Sequence, residues 1–123
     1  MAKTVLIIDD SASLRQVVNF TLKAAGYTVV EAEHGQDALD KITSGVKPNL
    51  IICDVNMPVM NGIAFVTELK SLPDHQFIPV IMLTTEAGED MKLQGQMAGC
   101  KSWLVKPFRP DIVLKAVQKL ILP

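Results

Sequence analysis

Three aspartates close two of the most apolar runs in the chain: Asp9 and Asp10 follow Val5-Leu6-Ile7-Ile8, and Asp54 follows Leu50-Ile51-Ile52-Cys53. If those runs are neighbouring parallel strands, the three carboxylates emerge close together at one end of one sheet. Two carboxylates about 4 Å apart repel by roughly 4 kcal/mol at an effective dielectric of about 20. Three are tolerable together only with a cation or with raised pKa values. Hard oxygen donors with open positions suit Mg²⁺, which keeps several waters and binds phosphate. A single Asp after a strand needs no more than a turn or a helix cap to explain it. Three converging on one crevice ask for more.

Two further run ends extend the pattern. Thr84-Thr85 follows Val80-Ile81-Met82-Leu83, and Lys106-Pro107 follows Ser102-Trp103-Leu104-Val105. A hydroxyl and an ammonium beside acids make a poor acid/base hydrolase, with no histidine or cysteine candidate to serve it. They suit a tetrahedral dianion held by Mg²⁺, one hydroxyl and one lysine. Asp54 is then a candidate covalent acceptor, since carboxylates form aspartyl phosphates. The chain lacks G-x-x-x-x-G-K-[ST] and G-x-G-x-x-G, so a nucleotide cradled by a glycine loop is not expected. Cys53 and Cys100, far apart and outside any CxxC, read as reduced buried thiols. His34 and His75 lie in polar stretches and read as surface residues. Gly35, Gly45, Gly62 and Gly99 fall at turns or helix ends and call for no further role.

The elements that must position these groups are visible as an alternation. Val5–Ile8, Leu50–Cys53 and Val80–Leu83 are continuously apolar, as strands covered on both faces must be. Thr28–Ala32 and Ser102–Val105 are mixed and suit sheet edges. Between them lie helical patterns. The first carries Leu14, Val17, Val18, Thr21, Leu22 and Ala25 on one stripe, with Ser11 or Ser13 as cap and Gly26 at its end. The second runs from about Gln36 to Ser44, and the third follows Asn61-Gly62 with Ile63, Phe65, Val66 and Leu69. The fifth follows Pro110, a residue suited to a helix start. The fourth, about Ala87 to Met97, is the weakest, because Gly88 and Gly95 each cost about 1 kcal/mol relative to alanine in a helix interior. Five β–α units in succession imply an α/β fold, a parallel sheet with helices on both faces. In such doubly wound sheets ligands bind at the carboxyl ends of the strands, where the winding reverses. The alternation alone leaves the strand order open.

With 123 residues the chain has the length of one domain, and residues 1–123 read as a single unit without repeat or linker. A formal net charge of -1 gives no electrostatic basis for binding nucleic acid or a membrane surface. No apolar run approaches the roughly 18 residues that a spanning helix needs. The first apolar stretch meets two aspartates after four residues and reads as a strand, not a signal peptide. The expected compartment is the cytoplasm.

Taken together, Ile8-Asp9-Asp10-Ser11, Cys53-Asp54-Val55-Asn56-Met57-Pro58, Leu83-Thr84-Thr85-Glu86-Ala87 and Val105-Lys106-Pro107-Phe108 resemble the receiver domains of two-component response regulators. The likeness is strongest to stand-alone chemotaxis receivers of the CheY type. Each fragment alone is weak, but all four in order at four strand ends are specific. The resemblance covers the whole chain and implies a flavodoxin-like sheet of order 2-1-3-4-5. It implies Asp54 as phosphoacceptor and Mg²⁺ bound by Asp10, Asp54 and the backbone carbonyl of Asn56, with Asp9 helping through a water. It makes Thr84 the switch hydroxyl and Lys106 the partner of the phosphoryl oxygens, with the Lys106-Pro107 bond cis. Asn56 and Glu86 match positions that tune the lifetime of the phosphate. Trp103 stands where the family usually has Tyr or Phe, the aromatic that changes rotamer on activation. Trp103 is thus a departure from the family's pattern, an indole being bulkier than a phenol.

The implied function is a phosphorylation-switched signalling protein, not an enzyme beyond its own phosphorylation and dephosphorylation. A sensor histidine kinase would supply the phosphoryl group. With the whole chain taken up by the receiver, output is expected through a separate protein such as the flagellar motor switch. The fourth helix, fifth strand and fifth helix would be the docking face, on a protein expected to be a monomer. A phosphorelay intermediate or phosphate sink is the alternative within the family. A Mg²⁺-dependent aspartyl-phosphate phosphatase is a remoter one, since it needs an acid where Asn56 stands and a cap that these short loops do not provide.

Overall fold

A computed structural model describes residues 2–85, 89–106 and 109–121. Glu86, Ala87, Gly88 and Pro107 lie outside the described residues, and with them the expectations for Glu86 and for a cis Lys106-Pro107 bond. Five strands, β1 (Thr4–Ile8), β2 (Thr28–Ala32), β3 (Leu50–Cys53), β4 (Val80–Thr84) and β5 (Ser102–Val105), alternate with five helices. These are α1 (Ala12–Ala24), α2 (Gly35–Thr43), α3 (Gly62–Lys70), α4 (Glu89–Ala98) and α5 (Pro110–Leu120). The strands form one parallel sheet in the order β2-β1-β3-β4-β5, as expected, with the two mixed strands at its edges.

Val5–Ile8, Leu50–Cys53 and Val80–Leu83 of the three central strands are apolar because both sheet faces are covered. On one face Leu6, Ile8, Ile51, Cys53, Val80 and Met82 pack with α2 and α3 through Ala38, Ile42, Phe65, Val66 and Leu69. On the other, Val5, Ile7, Leu50, Ile52, Ile81 and Leu83 pack with α1 and α5 through Val18, Leu22, Val113 and Val117. Alternate residues along each strand thus feed two separate cores, which is the period-two geometry of a strand.

Local chemistry sets the helix ends. Ser11 caps α1, its hydroxyl accepting from the Leu14 N–H at 3.3 Å, and Gly26 takes φ 95 beyond its end. His34, read from sequence only as a surface residue, caps α2: its Nδ1 accepts from the Asp37 N–H at 3.1 Å. Asp37 in turn accepts from the N–H of Glu33, the residue before the cap, at 3.0 Å, which ties the entering chain to the first turn. Asn61 caps α3 through the Ala64 N–H at 2.8 Å. Cys53 is buried and Cys100 partly so, both as free thiols.

Gly95 is more than a weak point in α4. A Cβ there would stand 2.5 Å from Cζ3 and 2.9 Å from Cε3 of Trp103. The missing side chain is a notch in α4 that the edge of the indole fills, so Trp103 packs inward against the core on the α2–α4 face.

Candidate functional site

Strand register brings the acids together. Ile8 of β1 is level with Cys53 of β3, so Asp9 and Asp54, each the next residue, leave the sheet side by side. The Asp54 N–H donates to the Ile8 carbonyl at 2.9 Å, and the Asp9 N–H to the Ala32 carbonyl at 3.1 Å. Cys53 is level with Met82 and Thr84 with Val105, which carries Thr84 and Lys106 to the same edge. There the Lys106 N–H donates to the Thr84 carbonyl at 2.7 Å.

One carboxylate oxygen from each of Asp9, Asp10 and Asp54 lies within 4.8 Å of the others. Asp9 and Asp54 are buried, and Asp10 is exposed. Lys106 Nζ donates to Asp9 Oδ2 at 3.0 Å and to Asp54 Oδ2 at 3.4 Å. The remaining oxygens of the two buried acids are also engaged. Asp9 Oδ1 accepts from the Ser11 N–H at 2.8 Å, and Asp54 Oδ1 accepts from the Val55 N–H at 2.7 Å. Thr84 is fully buried at the end of β4, while Asn56 is exposed on the loop beyond Asp54. The structure therefore gathers Asp9, Asp10, Asp54, Thr84 and Lys106 at one sheet edge.

The two members of the Asp9–Lys106 pair are displaced for different reasons. Burial raises the Asp9 carboxyl above the ordinary carboxylate value, and the Ser11 N–H and Lys106 only partly offset it, while Asp54 adds to the rise. For Lys106 burial acts downward, but the hydrogen bond and charge of Asp9, with Asp54 behind it, outweigh it and hold the ammonium above its usual value. The rise of Lys106 expresses the negative charge around it, whereas that of Asp9 is chiefly the cost of burial. Three ionised carboxylates against one ammonium leave -2 (-3 + 1), the charge that one divalent cation cancels. The donors are hard oxygens, and the exposed Asp10 leaves the cluster open to solvent, so the set fits Mg²⁺.

Two residues at this site escaped the reading of the sequence. Gly62 had been assigned no role beyond a helix start, yet a Cβ on it would stand 2.1 Å from the backbone oxygen of Asp54. Its N–H donates to the Val55 carbonyl at 2.8 Å. Only glycine lets α3 press this closely on the peptide that carries Asp54. The neighbouring loop closes through a Met60 N–H to Pro58 carbonyl bond of 2.7 Å around Val59 at φ 68, a γ-turn that a β-branched residue rarely adopts. Arg15 of α1 is the second. Its Nε donates to Glu31 Oε1 at 2.9 Å, and a terminal nitrogen donates to the backbone carbonyl of Asp9. The faint signal for it was a cation on the first turns of α1, six residues beyond Asp9.

Comparison with known proteins places the chain as a whole. The response regulator receiver domain model matches residues 5–118. Chemotaxis protein CheY1 of Helicobacter pylori is 36% identical over 117 residues, covering 94% of this chain and 94% of that protein. Chemotaxis protein CheY of Bacillus subtilis is 37% identical over 122 residues, covering 98% of this chain and 99% of that one. Among solved structures, chemotaxis protein CheY4 of Vibrio cholerae superposes with a TM-score of 0.93 at 43% identity, covering 98% of this chain and 100% of that one.

Proposed function

This chain belongs to the response regulator receiver family, and on that premise we propose that it is a chemotaxis switch that takes a phosphoryl group on Asp54. The observation that carries the reading is the convergence of Asp9, Asp10 and Asp54 with Lys106 bonded across two of them. Asp9, Asp10, Asp54 and the backbone carbonyl of Asn56 would hold Mg²⁺. When bound, the metal supplies charge neutralisation that lets an anionic phosphoryl group approach anionic carboxylates.

The chain's own groups perform the rest. A carboxylate oxygen of Asp54 attacks phosphorus, and the bond from phosphorus to the donor breaks with its electron pair leaving on the donor. The product is a mixed anhydride on Asp54. Lys106, already between Asp9 and Asp54, exchanges part of its pairing for the phosphoryl oxygens. Thr84 at the end of β4 supplies a hydroxyl to the same group. In this reading the protein catalyses only its own phosphorylation and dephosphorylation. Asn56, exposed beside the acceptor, and Glu86 would set how readily water reaches the anhydride.

The phosphoryl donor is a sensor histidine kinase, and output passes to a protein target, with the flagellar motor switch the fitting one for a chemotaxis receiver. The docking face is α4, β5 and α5, where Leu93, Val105 and Ile112 are exposed apolar side chains. The protein acts as a cytoplasmic monomer; among the described residues no helix is long and apolar enough to cross a membrane.

Incubation with acetyl phosphate and Mg²⁺ tests the reading. Mass spectrometry should show one added phosphoryl group, stable to acid and labile to base, that is lost without Mg²⁺ and lost in Asp54→Asn. Undiminished labelling of Asp54→Asn would move the acceptor elsewhere and overturn the assignment.

A further inference from the structure

We propose that Arg15 is a positioning residue for the acidic site. From α1 it holds the peptide between Asp9 and Asp10, and so sets how well that pair can ligate a divalent cation. This rests on the reading of the acidic cluster as a Mg²⁺ site.

The main chain of Asp9 is gripped from both sides by the end of β2. Its N–H donates directly to the Ala32 carbonyl at 3.1 Å. Its carbonyl accepts from the Arg15 guanidinium, which is itself tied to Glu31 through Nε at 2.9 Å. Asn19, one helical turn beyond Arg15, donates to the other Glu31 oxygen at 2.8 Å. Glu31 therefore receives two donors from one face of α1, and the Arg15 fork is held in a single orientation. With 13% of its side chain exposed, Arg15 is a fixed strut, not a solvated surface charge.

What the strut holds is a short segment with no slack. Asp9 has its carbonyl on Arg15, its N–H on β2, and its carboxylate on the Ser11 N–H and Lys106. Asp10 follows directly and is exposed, so packing restrains its direction less than that of Asp9. The peptide that joins it to Asp9 sets where it leaves the chain. Mg²⁺ demands near-octahedral geometry, and groups that orient its ligands from behind commonly carry a tenfold to hundredfold effect on affinity. Arginine suits the task and lysine does not, because two separate edges of one planar cation must meet Glu31 and Asp9 together.

A Mg²⁺ titration of the full chain, followed by backbone amide resonances, reads the effect, with a urea midpoint recorded for each variant. Arg15→Met should weaken Mg²⁺ binding by about tenfold. Arg15→Lys, which keeps the charge but loses the fork, should fall between that variant and the wild type. Glu31→Gln should weaken binding as well, by loosening the strut without touching Asp9. In metal-free Arg15→Met, hydrogen exchange at the Ser11 amide should quicken. Wild-type Mg²⁺ affinity in a folded Arg15→Met, whatever its stability, would overturn the proposal and leave Arg15 a structural ion pair. Should Arg15→Met not fold, wild-type affinity in both Arg15→Lys and Glu31→Gln would overturn it equally. A wild type that binds no Mg²⁺ would sink the metal site and the proposal together, an outcome distinct from equal binding by wild type and variants.

Discussion

Replacing Gly95 with alanine sets two effects of known size against each other. Alanine is favoured over glycine in a helix interior by about 1 kcal/mol, so at an open position the substitution would stabilise α4. Here the added Cβ would stand 2.5 Å from Cζ3 of Trp103, where ordinary contact begins at 3.4 Å. Ring and helix must therefore part by about 0.9 Å (3.4 - 2.5), and overpacking of this kind costs about 1–3 kcal/mol. Subtracting the helix gain leaves an expected loss of about 1 kcal/mol, or a fall in melting temperature of about 4 °C for a chain of this length. The ring is the softer partner, because Trp103 lies on edge strand β5 and is only partly buried, whereas a shift of α4 would strain its turn into β5. Trp103 is the only tryptophan, so its emission reports the move directly and should shift to the red as the indole gains water. Urea unfolding and emission spectra of wild type and Gly95→Ala decide the matter. A variant that gains about 1 kcal/mol, the bare helix preference, with an unchanged spectrum would refute the notch and its occupant together.

Further outcomes follow from the charges and thiols. Mg²⁺ should raise the melting temperature at neutral pH, by an amount equivalent to about 2.7 kcal/mol at one hundred times its dissociation constant. Asp10→Ala should blunt that response while stabilising the metal-free protein, since it removes one of three mutually repelling acids; calorimetric scans with and without Mg²⁺ check both signs. The thiols should resist a disulfide reagent at pH 8 in the folded protein and react fully in urea. Burial pushes Cys100 from an ordinary thiol value of 9.0 to about 11, against a small opposing effect of Lys70, and raises the buried Cys53 as well. A thiol raised in the folded state keeps its proton where the unfolded chain gives it up. Stability should therefore fall as pH rises from about 9 to about 11, and Cys100→Ala should flatten that decline.

Much of this molecule was legible in one dimension because the decisive signals are local. Runs such as Leu50–Cys53 are apolar at every residue because parallel strands are covered on both faces. The capping side chain of Ser11 announces α1, and Pro110 announces α5, from their immediate neighbours. Asp9, Asp10, Asp54, Thr84 and Lys106 stand out because parallel strands share a direction, so residues just past their ends share an edge whatever the order of the strands. The order came from likeness to a family, not from the alternation, and it is the order that makes β1 and β3 neighbours and brings the acids within reach of one another. Arg15 against Asp9, Gly62 against the Asp54 peptide and Gly95 under Trp103 belong wholly to the tertiary structure. Each depends on the approach of two elements that no periodicity encodes. A glycine that ends a helix and a glycine that admits another side chain are the same letter, and only the neighbour across the gap tells them apart.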